Sequence, residues 1–154
     1  MGSGWRIVNN KHAATAFSGE GARLYGGRWN SVGVPMVYVS EHRSLGALEI
    51  LVHIRPLALR AAYRAFFAEW DDALVEALPA ESLPSEWRME PPGIATMRIG
   101  DLWARERRSA VLAVPSVLIP EERNFVMNPV HPDFARISIH DRGEFVLDAR
   151  LLPR

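Results

Sequence analysis

Segments with strand character follow one another in this chain without a helix between each pair, and that order limits the fold more than any other feature. Runs rich in β-branched and aromatic residues lie at Trp5–Val8, Pro35–Ser40, Ala62–Trp70, Val111–Val117, Asn124–Asn128 and Ala135–Ile139, with Phe145–Asp148 as a further short candidate. Helical patterning is confined to Ser44–Ile54, Asp71–Leu78 and Ile94–Arg108. Irregular mixing of this kind argues against a doubly wound α/β sheet and for an α+β fold. No repeat or hydrophilic linker divides the 154 residues, which read as a single domain over 1–154. A chain of that length buries roughly two thirds of its unfolded surface and needs no covalent staple.

Between these elements the punctuation is informative. Gly19-Glu20-Gly21 reads as a turn; it does not open a dinucleotide fingerprint, because the sixth position is Leu24 where a glycine is required. Prolines at 79, 84, 91 and 92 mark Pro79–Pro92 as an irregular surface connection, with Trp87 to pin it. In Ile94–Arg108, residues Ile94, Met97, Leu102 and Trp103 are available to face inward and Gly100 is the weak point. Pro115 interrupts the run Val111–Val117 and frees Ser116 from regular pairing.

Composition excludes several classes. Eighteen basic and eighteen acidic residues balance to a formal charge of zero, which is not the footprint of a nucleic-acid-binding domain. With no cysteine there is no disulfide and no thiolate metal site, so a reducing cytoplasm is the expected setting. The five histidines show no HExxH or comparable spacing, and no metal is expected. No apolar run approaches the roughly 20 residues needed to cross a bilayer.

The chemistry concentrates in Gly26–Glu49. Arg28 follows two glycines, and a guanidinium is the side chain best suited to bidentate phosphate binding. Tyr38 shares one face of the expected strand with Met36, while Val37 and Val39 take the other. Glu49 falls with Leu45, Leu48 and Val52 in the apolar stripe of the expected helix. A carboxylate there needs a partner, either a structural arginine or a pocket with a task for it. His53 lies one turn later, within reach of Glu49, and reads as a solvated or core histidine outside the site.

The run GGRWNSVGVPMVYVSEHRSLGALEILVH resembles the central signature of the RES domain family, the toxins of RES–Xre toxin–antitoxin modules. Arg28 and Glu49 match the arginine and glutamate of the family name; VPSVLIPEERNFVMNPVHPDF matches its second block and places the serine at Ser116. The resemblance implies an ADP-ribosyltransferase-like fold of two packed antiparallel sheets with flanking helices. It further implies a cleft for NAD+ as substrate, with no prosthetic group, and cleavage at the nicotinamide–ribose bond with water, phosphate or a protein as acceptor. Growth arrest and an Xre-type helix-turn-helix antitoxin as partner follow from the same likeness. Glu49 would stabilise an oxocarbenium-like transition state, Arg28 the pyrophosphate; Tyr38 would pack against nicotinamide or orient the ribose, and Ser116 would bond the ribose or order Glu49. A non-catalytic NAD-binding module is the reading from a different class.

Overall fold

The computed structural model describes residues 1–53 and 61–152; Ile54, at the end of the expected helix, lies outside them. Its strands are β1 (Gly2–Asn9), β2 (Val37–Ser40), β3 (Tyr63–Trp70), β4 (Val75–Ala77), β5 (Val111–Pro115), β6 (Arg123–Met127) and β7 (Ser138–Phe145). Its α-helices are α1 (Glu20–Tyr25), α2 (Arg43–His53) and α3 (Ile94–Arg105). The strands hydrogen-bond in the order β4–β5–β6–β2–β1–β3–β7. The fold is α+β, as the mixed order of elements requires.

The ladder behaves as two leaves. β1 joins β2 through a single paired position, Trp5 with Ser40, whereas β1 and β3 pair along their whole length from Gly2–Trp70 to Asn9–Tyr63. Val37, Val39, Val111, Ala113, Phe125 and Met127 of the β2-β5-β6 leaf pack with Ala68 and Trp70 of β3 in one core. The rings of Trp70 and Phe125 lie 4.9 Å apart edge to face, although β6 and β3 are separated in the ladder by two strands. Four strands at about 4.8 Å spacing would hold them much further apart in a flat sheet. The sheet therefore folds over at the β1–β2 seam. Gly4 makes this possible: a Cβ there would stand 2.8 Å from Val39 and 3.3 Å from the Trp70 indole.

The outer face of the β2-β5-β6 leaf carries α3. Met36, Leu112, Val114 and Val126 pack there with Trp29, Trp103 and Ala104, so β2 does divide its residues as alternation demands. The inward face of α3 is only partly the expected one: Trp103 is buried as expected. Ile94 and Leu102 are exposed, and the buried positions are Thr96, Gly100, Asp101, Trp103 and Ala104. At Gly100 and Asp101 the helix lies against the loop after Arg28, where a small and a hydrogen-bonding group are needed, while Trp103 packs on the sheet.

Two more expectations need correction. Asp71–Leu78 is not a helix: the Asp71 side chain accepts from Ala73 N and closes a single 3-10 turn, after which Val75–Ala77 pairs in parallel with Val111–Ala113. That edge pair makes the leaf mixed rather than wholly antiparallel. Of the expected strand Ala135–Ile139 only Ser138 and Ile139 are strand, and of Phe145–Asp148 only Phe145 is. His131 caps a 3-10 turn at Pro132–Arg136, and the strand begins at Ser138 and runs along β3. The Gly19 turn is the start of α1, and Pro79–Pro92 is an irregular connection with one short 3-10 turn at Ala80–Ser82.

Candidate active site

The loop between α1 and β2 is built as a rigid platform. Gly26 has φ +72°, in the left-handed region that suits glycine, and turns the chain out of α1. A Cβ at Gly27 would stand 2.7 Å from the Tyr38 hydroxyl, so this glycine admits the phenol of β2. Tyr38 donates to Asn30 Oδ1 at 2.6 Å and accepts from Trp29 N at 3.0 Å. Asn30, wholly buried, also donates to Ala22 O at 2.8 Å and Val34 O at 3.0 Å. Asp101 of α3 takes both the Ser31 N–H at 2.9 Å and the Ser31 hydroxyl at 2.6 Å. Burial pushes the Tyr38 phenol well above its ordinary range, so it stays a neutral donor.

Arg28 projects from this platform with its side chain only 12 % exposed. Its guanidinium donates to Trp87 O at 3.0 Å, Met89 O at 2.7 Å and Glu90 Oε2 at 2.8 Å. The Pro79–Pro92 connection is thus pinned by two carbonyls and a carboxylate gathered on Arg28. Beneath the loop, Arg6 of β1 donates to Ala16 O at 2.6 Å and Tyr38 O at 3.0 Å. Burial brings this guanidinium down to about 10. Sequence reasoning missed Arg6; a lone cation inside the apolar run Trp5–Val8 was the available signal.

Glu49 comes from the other side, on α2. The buried stripe of α2 is Leu45, Gly46 and Ile50, whereas Leu48 and Val52 are exposed. The stripe is rotated from its expected position because α2 rests on β1 at Gly46, where a Cβ would lie 3.5 Å from Ile7. Glu49 consequently sits at the margin of the packed face with 26 % of its side chain exposed. It has no arginine partner among the described residues. Asn124 Nδ2 of β6 donates to Oε1 at 3.1 Å, and His53 Nε2 stands 3.3 Å from Oε2.

His53 thus belongs beside Glu49, contrary to its reading as a bystander. The hydrogen bond to Glu49 raises its pKa above the ordinary histidine value, against a lowering by burial; the charges of Glu49 and Glu90 add to the rise and that of Arg28 opposes it. The same Arg28 charge is felt at Tyr38. Arg28, Tyr38, Glu49, His53 and Glu90 therefore share one electrostatic neighbourhood drawn from four stretches of chain. A raised folded-state pKa means that the pair's contribution is complete below the unfolded histidine value and is lost as pH rises through the folded one. Ring-proton NMR should find His53 titrating above free histidine, and Glu49→Gln should return it toward the free value; a midpoint indifferent to that substitution would contradict the pair.

Ser116 is placed differently. It is fully buried, and its Oγ accepts from Leu118 N and Ile119 N, both at 3.2 Å. Its own N–H bonds Glu122 O at 2.9 Å. The side chain shapes the turn that delivers the chain into β6, and it is Asn124, two positions into the turn's following strand, that joins His53 at Glu49. Among the described residues no cluster of His, Asp and Glu is arranged to hold a metal ion, and no helix is long and apolar enough to cross a membrane.

Comparison with known proteins agrees with this architecture. The family model described as RES domain matches residues 3–148. A protein named Toxin Res from Photorhabdus laumondii is 37 % identical over 149 residues, covering 96 % of each chain. One named Prs ADP-ribosylating toxin from a Sphingobium species is 38 % identical over 153 residues, covering 96 % of this chain and 95 % of its own. In fold, a chain from the crystal structure of the M. tuberculosis MbcT–MbcA toxin–antitoxin complex superposes with a TM-score of 0.72 at 20 % identity, over 97 % of this chain and 86 % of that one. The chain belongs to the RES domain family.

Proposed function

We propose that this protein is the toxin of a type II toxin–antitoxin pair and cleaves NAD+ between nicotinamide and ribose. What supports the reading is a carboxylate held by Asn124 and His53, with the charge of Arg28 bearing on that same His53. Cleavage breaks the bond from C1′ to the pyridinium nitrogen, and the electron pair leaves with nicotinamide. Positive charge grows on C1′ and the ring oxygen, where the Glu49 carboxylate stabilises it. An acceptor oxygen then bonds C1′; if it is water, its proton departs and ADP-ribose remains. Arg28 supplies the fork for the pyrophosphate. The Tyr38 hydroxyl is engaged within the platform, so its part is to hold that platform and present ring surface, and Ser116 acts through the turn into β6.

A second reading has its own support: the similar Sphingobium protein is named an ADP-ribosylating toxin, so the same pocket in this chain would pass ADP-ribose to a protein nucleophile. Incubation with NAD+ alone, with phosphate and with a bacterial lysate, followed by mass spectrometry, separates ADP-ribose, its 1″-phosphate and modified protein. Intact NAD+ in all three arms would contradict both readings. An Xre-type helix-turn-helix antitoxin is the expected partner in the cytoplasm, and its co-expression should restore growth.

For Arg28 to take a pyrophosphate, Glu90 must release it. Glu90 is 67 % exposed although Arg28 is only 12 % exposed, so the carboxylate side of the pair is screened by water and its release costs about 1 kcal/mol. Glu90→Gln should therefore tighten NAD+ binding by up to about fivefold. Arg28→Ala should weaken it, and Arg28→Lys should recover part of the loss because charge survives without the fork. Calorimetric titration checks all three, and equal affinity throughout would remove Arg28 from the site.

A further inference from the structure

Resting on the reading of Glu49 as the catalytic carboxylate, we infer that Asn124 is its positioning residue, held in place by the sheet at a cost to the fold. Asn124 lies in β6 between two neighbours, paired with Ser40 of β2 and Val114 of β5. Its backbone cannot move without carrying three strands. From that fixed base Nδ2 reaches Glu49 Oε1, while His53 approaches Oε2 from the next turn of α2. Contacts from two directions leave the carboxylate a single orientation. Chemistry fixes which way the amide points, since the reverse placement would set Oδ1 against a carboxylate oxygen.

The other end of the amide shows what this arrangement costs. Asn124 Oδ1 is closed off from solvent and accepts no hydrogen bond among the described residues. Buried polar atoms nearly always have partners, and one that lacks them opposes folding. Sequence requirements for stability alone would place an apolar residue here, as at Val126 two positions along the same strand. What the asparagine supplies is the bond to Glu49. Its neighbour Arg123 is occupied with Glu41, so no cation from β6 takes over the task. Among the described residues, the other charged groups bearing on His53 are Arg28 and Glu90.

The test compares Asn124→Ala, Asn124→Asp and Glu49→Gln as full-length proteins, reading NAD+ turnover, KM, thermal midpoint and pH profile. Asn124→Ala should lose about ten- to a hundredfold in kcat, the scale of a misplaced catalytic group, with KM little changed and a midpoint equal to or above wild type. Asn124→Asp sets a second carboxylate against Glu49, which favours proton uptake by the pair; its acidic limb should move to higher pH. Turnover by Asn124→Ala that falls only with the folded fraction, together with an unshifted Asn124→Asp profile, would overturn the inference while leaving Glu49 in place. A folded Glu49→Gln that works at the wild-type rate would overturn the reading beneath it as well.

Discussion

Gly100→Ala should lower the thermal midpoint by about 4–8 °C, although by helix propensity alone it would be stabilising. Alanine is favoured over glycine in a helix interior by roughly 1 kcal/mol. At this position the new Cβ would fall 1.7 Å from Trp29 O and 2.7 Å from Trp29 C. Both partners of that clash are backbone, so no rotamer change relieves it. Either α3 lifts from the platform or the platform moves, and overpacking of this kind costs roughly 1–3 kcal/mol and occasionally more. With two backbone clashes the upper end of that cost applies, and less the propensity gain it leaves a net loss of about 2 kcal/mol, which corresponds to the stated shift at 2–4 °C per kcal/mol for chains of this size. Displacing Trp29 also displaces Arg28, so NAD+ binding should weaken in the fraction that stays folded. Gly21→Ala is the matched control, since a Cβ on α1 at that position meets nothing within 4 Å. Calorimetry on the two variants checks the argument; a Gly100→Ala protein as stable as Gly21→Ala would mean that α3 does not rest on the Trp29 backbone.

What the sequence revealed follows the range of the forces involved. β2, β3, α2 and the start of α3 carry local signals, either alternation or helical period, and they form close to where those signals place them. β4 and β7 do not. Val75–Ala77 becomes a strand because the edge of β5 offers it partners, and β7 is an exposed edge strand whose residues Ser138 to Phe145 bury almost nothing. Neither leaves an apolar rhythm to read. The stripe of α2 was misplaced for a related reason: which face a helix buries depends on what lies beneath it, and Gly46 against Ile7 is a contact between elements far apart in sequence.

The site divides along the same line. Arg28 and Glu49 announce themselves through residue type in a local setting. Asn124, 75 residues from Glu49, and Glu90, 62 residues from Arg28, become partners only when the sheet and the Pro79–Pro92 connection are in place. Gly100 looked like a defect in a helix because its purpose lies in the backbone of another segment.

Glu49→Gln bears most directly on the proposed chemistry. The substitution is nearly isosteric and keeps an oxygen for Asn124 Nδ2, so the fold should persist with a midpoint close to wild type. Glu49 is partly exposed and has no arginine contact among the described residues, so no buried cation is left uncompensated. What disappears is the negative charge facing the developing oxocarbenium. Removing one preorganised electrostatic group costs on the order of a hundredfold or more in turnover, while affinity for NAD+ should change little, because the interaction strengthens mainly in the transition state. Nicotinamide release, NAD+ affinity and thermal midpoint measured on one preparation decide the matter: the account predicts a folded protein that binds NAD+ and releases nicotinamide at least about a hundredfold more slowly, and a folded Glu49→Gln that releases it near the wild-type rate would contradict it.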